Sequence, residues 1–318
     1  MQQATPPLTD AYALFAQGRT TEALTIVEHH AAAGDPDALF TLGDMYWRGA
    51  GVEQDVRRTW TLFGEAADVE HPMAVRAYTN LLANGIGGPR DWVRAIRRLE
   101  QEGRADALRA RMLAVIRAMP IDANGDPLLV PPLRQLSEEP GVWLSQRAFS
   151  EAECDFLRLA AEPTYERSLV KMAGEDVPDP IRTSDGSTIH WLVEDPATHA
   201  INRRLAALTH TAVDQGEPLQ ILRYRPGQQY HPHVDWLGEG NRRILTALIY
   251  LNDNYVGGET RFVKTGLTVK GRTGDVLLFR NIGRDGGLDP LSEHAGLPVT
   301  SGIKYLGSRW IREARHTP

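Results

Sequence analysis

The sequence predicts an α+β protein made of two unlike halves: helical repeats first, then short strands with two helices ahead of them. Three observations predict it. Residues 37–63 and 73–99 repeat one another. The stretch "AVIRAMPIDANGDPLLVPPL" (114–133), with four prolines, a glycine and Asn124, does not continue a helix. From residue 219 onward the apolar residues alternate with period two.

In the first half, Ala38 and Ala74, Gly49 and Gly85, Gly51 and Gly87, and Asp55 and Asp91 each stand 36 residues apart. Each unit reads as a helix, a glycine-rich turn and a second helix. Ala38, Leu42 and Tyr46 form an apolar stripe at i, i+4, i+8. Gly49 and Gly51 break that helix, and Asp55 is placed to cap the next, whose facing stripe is Trp60, Phe63 and Ala67. The pattern resembles the Sel-one-like repeat, a relative of the tetratricopeptide repeat, over about residues 31–105. Residues 10–30 read as an atypical capping pair. Two clear units are few for a free-standing solenoid. The block is therefore expected either to brace the other half or to bind a protein partner.

The resulting organisation is a helical repeat domain at 1–118, a linker at 119–140 and a second domain at 141–318. In the second domain, residues 150–161 and 196–213 read as helices. The strands follow as "LQILRY", "ILTALIYL", "ETRFV", "LTVK", "DVLLF" and "IKYLGSRWIR", separated by turns such as "VGGE" and "KGRTGD". Short strands at this spacing predict a barrel or sandwich. The polar, turn-rich stretch 162–188 reads as a long mobile loop that closes over a substrate.

The composition excludes several classes. Of 318 residues, 42% are hydrophobic and 24% charged, as in ordinary globular proteins. A formal charge of -6 supplies no basic field, so no nucleic-acid partner is expected. The start "MQQATPPLTD" lacks the marks of a secretory signal, and no apolar run approaches the roughly 20 residues of a membrane span. Cys154 is the single cysteine, which excludes an internal disulfide and a thiolate zinc cluster. It reads as a semi-buried structural thiol, and the expected location is cytoplasmic.

The chemistry concentrates in "RYRPGQQYHPHVDW" (223–236). A histidine and a carboxylate two residues apart suit a solvated turn or half of a metal site. In a strand, His233 and Asp235 would project to the same face. His231 is the rival ligand on that face, but it has no acid two residues on. A 2-His-1-carboxylate iron site needs a third ligand, and His294 is the only later histidine among the strands. Lys304, Leu306, Ser308 and Trp310 share one face of the last strand. An inward lysine there needs an anion, because burying an ammonium alone is costly.

These residues carry a resemblance. "RYRPGQQYHPHVDW", "RRILTALIYLNDNYVGGETRFV", "GDVLLFRN" and "SEHAGLPVTSGIKYLGSRWIR", with "RTSDG" (182–186) ahead of them, resemble the prolyl 4-hydroxylase branch of the Fe(II)/2-oxoglutarate dioxygenases over about 141–313. The resemblance implies a double-stranded β-helix (jelly roll) with helices packed on one sheet. It implies that His233, Asp235 and His294 hold Fe(II), and that Lys304 pairs with the distal carboxylate of 2-oxoglutarate. Tyr224 would donate its hydroxyl to the same carboxylate, and Thr260 would sit beside the cosubstrate. Arg243 and Trp310 would look toward the prime substrate. O2 is the cosubstrate and ascorbate the reductant so implied. The implied reaction is hydroxylation of a C–H bond in a prolyl residue of a peptide or protein, with release of succinate and CO2. Hydroxylation of a free amino acid or small metabolite is the alternative within the enzyme class, and an adaptor with an inactive oxygenase fold is the alternative outside it.

Overall fold

The computed structural model describes residues 6–167, 169–172, 175–178, 181–238 and 240–318. The chain divides into two compact units. One takes in the residues up to Ala110 with Trp191–Pro196 and Pro318; the other takes in Arg111–His190 and Ala197–Thr317.

The first unit is built from α1 (Leu8–Ala16), α2 (Thr20–Ala32), α3 (Pro36–Arg48), α4 (Val56–Asp68), α5 (Pro72–Asn84) and α6 (Trp92–Glu102). Helix starts show the 36-residue period directly: Thr20, Val56 and Trp92 for one series, Pro36 and Pro72 for the other. The period therefore reaches one helix earlier than the sequence match at 31–105. The caps follow it too. Asp55 accepts the backbone N–H groups of Arg57 and Arg58, and Asp91 accepts that of Arg94. Gly49 and Gly85 end α3 and α5 in the left-handed conformation. Ala38, Leu42, Tyr46, Phe63 and Ala67 are buried, as their spacing requires.

The repeat also explains its second glycine. Gly87 has φ +79°, and a Cβ there would run into the Val56 carbonyl oxygen. Gly51, one period earlier, would run into Thr20, itself one period before Val56. Gly87→Ala is expected to destabilise the protein by at least about 1–2 kcal/mol, from the left-handed penalty plus the clash. Gly18→Ala, with φ +74° and open space around it, is the control. Thermal unfolding of the two variants should show the larger loss for Gly87.

Helix α7 (Ala107–Ala118) runs across the division between the units. The strands are β1 (Arg134–Ser137), β2 (Val142–Ser145), β3 (Glu166–Arg167), β4 (Leu169–Met172), β5 (Glu175–Pro178), β6 (Asp185–Ile189), β7 (Leu219–Tyr224), β8 (Tyr230–His233), β9 (Arg243–Tyr250), β10 (Val256–Gly257), β11 (Thr260–Phe262), β12 (Thr268–Val269), β13 (Val276–Arg280), β14 (His294–Gly296), β15 (Val299–Ser301) and β16 (Lys304–Arg312). They interleave with α8 (Glu151–Ala161) and α9 (Pro196–Thr209). The largest sheet runs β1-β2-β13-β9-β16-β7-β6-β3 and the next largest β12-β11-β14-β8, while β10 pairs with β15 and β4 with β5, all antiparallel. From β7 on, the chain passes back and forth between the larger two of these sheets, which makes the fold a jelly roll.

Period two decides what lies between the sheets. Leu222 and Tyr224, Leu248 and Tyr250, and Leu277 and Phe279 point inward as i, i+2 pairs and meet Phe262 and Val269 of the smaller sheet. The alternate residues, such as Ile221 and Ile249, are buried as well. Helices α8 and α9 cover that outer face: α8 packs on β6 and β7, and Arg309 of β16 donates to the Asn202 carbonyl in α9. Two covered faces account for the nearly unbroken apolar runs.

Three expectations need adjustment. Residues 134–137, inside the expected linker, form β1 and pair with β2. The stretch 162–188 is not one long loop: β3 pairs with β6, and β4 pairs with β5. Backbone groups of this polar sequence are thus satisfied by strand pairing, which turn-former counting overlooks. The closure expected of it involves residues 168, 173, 174, 179 and 180, which lie outside the described residues. Cys154 is fully buried rather than semi-buried, and burial pushes its thiol pKa up to about 12. Among the described residues no helix is long and apolar enough to cross a membrane.

Candidate active site

His233 ends β8, and His294 begins β14 directly opposite it. Cross-strand partners present their side chains on the same face, so two residues 61 positions apart come together, their ring centroids at 4.2 Å. Asp235 joins them from outside the strand. β8 stops at His233 because its partner β14 starts at His294 and leaves no ladder beyond. Asp235 lies two residues past the end of β8, and its carboxylate still meets both rings on the side that alternation predicts. His233 Nε2 lies 3.8 Å from Asp235 Oδ1, and His294 Nε2 lies 3.8 Å from Asp235 Oδ2. One potential ligand atom from each of the three residues falls within 4.8 Å of the others.

The rings are held in one tautomer. His233 Nδ1 is 2.8 Å from the His231 carbonyl oxygen, and His294 Nδ1 is 2.9 Å from that of Ser292. A carbonyl only accepts, so each Nδ1 carries a hydrogen and each Nε2 is the atom that faces Asp235. His231 is exposed and contributes only this carbonyl. Tyr230 stacks on His233 at 3.5 Å, and Phe279 packs edge-on against His294.

Burial, with the nearby charge of His294, pushes the His233 pKa down to about 4. Burial would raise Asp235, but His294, His233 and the Thr246 hydrogen bond outweigh it and hold the carboxyl below its usual range. Two imidazole nitrogens and one carboxylate facing one another, with aromatic walls, match the donor set of a mononuclear non-haem Fe(II) centre.

The same pocket is lined by Tyr224, Thr260, Lys304 and Trp310. Lys304 opens β16 opposite Tyr224 of β7. It is 2% exposed and donates to the Gly258 carbonyl at 2.7 Å, with the Tyr224 and Tyr250 rings beside it. Among the described residues no carboxylate is in ion-pair contact with it. Burial pulls its pKa down to about 8, with Glu259 opposing in part. Thr260 is buried on β11, 3.5 Å from the Tyr250 hydroxyl. Arg243 is committed elsewhere: it forms a bidentate pair with Glu217 at 2.6 and 2.7 Å and lies 3.9 Å over the Trp310 ring. It therefore bears on the pocket through Trp310.

Sequence reasoning did not single out Thr246, Asn281, Tyr230 or Arg182. Tyr230 and Arg182 line the pocket. Thr246 donates to Asp235 Oδ2 at 2.7 Å, and Asn281 donates to Thr246 at 3.0 Å. The available signal was one threonine inside "ILTALIYL" and one amide just after "DVLLFR". A lone polar residue in a strand buried on both faces needs a partner.

The profile of the 2OG-Fe(II) oxygenase superfamily matches residues 219–312. The chain is 34% identical over 200 residues to prolyl 4-hydroxylase 1 of Arabidopsis thaliana, spanning 56% of this chain and 71% of that protein. Among solved structures it is similar to a viral collagen prolyl hydroxylase from Paramecium Bursaria Chlorella virus-1, at 25% identity and a TM-score of 0.42, covering 54% of this chain and 96% of the other. It is also similar to a Sel1 repeat protein from Oxalobacter formigenes, at 24% identity and a TM-score of 0.30, covering 33% and 43%.

Proposed function

The chain belongs to the prolyl 4-hydroxylase branch of the Fe(II)/2-oxoglutarate dioxygenases, and we propose that it hydroxylates a prolyl residue in a peptide or protein. The observation that carries this reading is the meeting of His233, Asp235 and His294 in a pocket that also buries the Lys304 ammonium. In this proposal His233 Nε2, His294 Nε2 and the Asp235 carboxylate hold Fe(II). Lys304 takes the distal carboxylate of 2-oxoglutarate, because a desolvated ammonium gains most from an anion. Tyr224 and Thr260 offer hydroxyls to the same cosubstrate. Trp310 forms a wall for the prime substrate, held from behind by Arg243, while the aromatic lining excludes water. When bound, iron and 2-oxoglutarate supply the oxidising chemistry: one atom of O2 enters the C–H bond, the other enters succinate, and CO2 leaves. Ascorbate as reductant, and recruitment of the substrate by the stacked helix pairs of the repeat unit, are parts of the same proposal.

The test is mass spectrometry of lysate peptides after incubation with the protein, Fe(II), 2-oxoglutarate and ascorbate. An Asp235→Ala variant is the control. The expected result is addition of one oxygen to prolyl residues by the wild type only. Succinate release that responds to free amino acids and not to peptides would move the substrate to a small metabolite. No succinate with either would favour an adaptor role.

A further inference from the structure

We propose that Asn281 and Thr246 form a one-way hydrogen-bond relay that fixes the orientation of the Asp235 carboxylate, which makes both of them positioning residues of the centre. This rests on the reading of His233, Asp235 and His294 as metal ligands. Thr246 and Asn281 are fully buried, and Asp235 nearly so. A threonine hydroxyl has one hydrogen to give. Two acceptors stand near it: Asp235 Oδ2 at 2.7 Å and Asn281 Oδ1 at 3.3 Å. Asn281 Nδ2, 3.0 Å from Thr246 Oγ1, donates into that oxygen. The amide occupies one of the two lone pairs of the hydroxyl, and the hydrogen goes to Asp235, the shorter and charged acceptor, because a carboxylate only accepts. The direction of the chain is therefore set by the carboxylate, and Asn281 holds the hydroxyl from behind with its amide hydrogen.

Asn281 is itself pinned at both backbone groups. Its N–H donates to the Ile244 carbonyl at 3.0 Å, two residues from Thr246 on β9. Its carbonyl accepts from Asp289 N–H at 3.0 Å. Asp289 in turn receives the Ser292 N–H and hydroxyl, and the Ser292 carbonyl orients His294. One residue thus stands where the supports of Asp235 and His294 meet. On β9, Thr246 is paired with Phe279 on one side and Trp310 on the other, so its side chain has little freedom to turn away. A carboxylate held in this way presents one arrangement of its oxygens to an ion rather than several, so less ordering remains to be done on binding.

The test uses the full-length protein without metal, titrated with Co(II) and read by ligand-field absorption against a competing chelator. Thr246→Val is expected to weaken Co(II) binding roughly 10–100-fold. Thr246→Ser, which keeps the hydroxyl, should stay within about threefold of wild type, less than one hydrogen bond is worth. Asn281→Ala, which keeps the backbone anchors, should weaken binding roughly threefold to tenfold, the equivalent of one hydrogen bond. The two act in series, so Thr246→Val combined with Asn281→Ala should bind no more weakly than Thr246→Val alone. Wild-type affinity in Thr246→Val, or losses that add in the double variant, would overturn the relay. If Thr246→Val does not fold, Asn281→Ala decides alone, and unchanged affinity there overturns it. His294→Ala separates the two readings: if it binds Co(II) as well as wild type does, the ligand assignment falls first, and the relay with it.

Discussion

His294→Ala is expected to reduce 2-oxoglutarate turnover by at least about 1,000-fold, whereas His231→Ala leaves it within about twofold. The contrast is the point, because both residues lie near the same centre. His294 is buried with Nε2 3.8 Å from Asp235. His231 is exposed and offers only its carbonyl, which alanine retains. Losing a ligand removes the ion and the several kcal/mol of charge stabilisation that a bound metal supplies, and about 4 kcal/mol corresponds to a factor near 1,000. Succinate release under saturating 2-oxoglutarate would measure both variants. Equal losses would mean that the ligand set has been drawn around the wrong imidazole.

Lys304→Met is expected to produce a more stable protein that no longer binds its cosubstrate. The ammonium is 2% exposed and bonded to one carbonyl, and burial lowers its pKa from 10.5 to about 8. Between those values the unfolded chain carries a proton at this lysine that the folded chain does not. More protons on the unfolded state mean that stability rises with pH across that interval. Below pH 8 the cost of the buried charge is fully present. At pH 7 the methionine variant should therefore be more stable by on the order of 1–3 kcal/mol in the absence of 2-oxoglutarate. The difference should fade as pH rises toward 10.5, and thermal unfolding at pH 7 and pH 10 would read it. Binding moves the other way. Removing one partner of a buried charge pair costs about 3–5 kcal/mol, roughly 10²–10³-fold or more in affinity. A variant that is both less stable at pH 7 and unaffected in 2-oxoglutarate binding would remove Lys304 from the pocket's chemistry.

The sequence by itself determined the helical repeats, the strands and the chemical inventory of the site. Periods of 36, 3.6 and two are one-dimensional patterns, set by helix and strand geometry, and they can be read without knowing what packs on what. That is why Asp55 could be read as a cap and Lys304, Leu306, Ser308 and Trp310 as sharing one face. The tertiary structure alone decided which groups converge. His233 and His294 meet because β8 and β14 are neighbours in the smaller sheet, a pairing no local pattern encodes. Asp235 follows His233 by two residues and joins it as alternation predicts, but only the pairing of β8 with β14 brings His294 to both. Stretch 162–188 paired its polar backbone instead of looping, and Arg243 went to Glu217. Thr246 and Asn281 look like stray polar residues in apolar runs until β9 and β13 lie side by side. The physical reason is common to all of these: hydrogen bonds and ion pairs act over about 3 Å, and distances of that size between remote residues exist only once the sheets have closed.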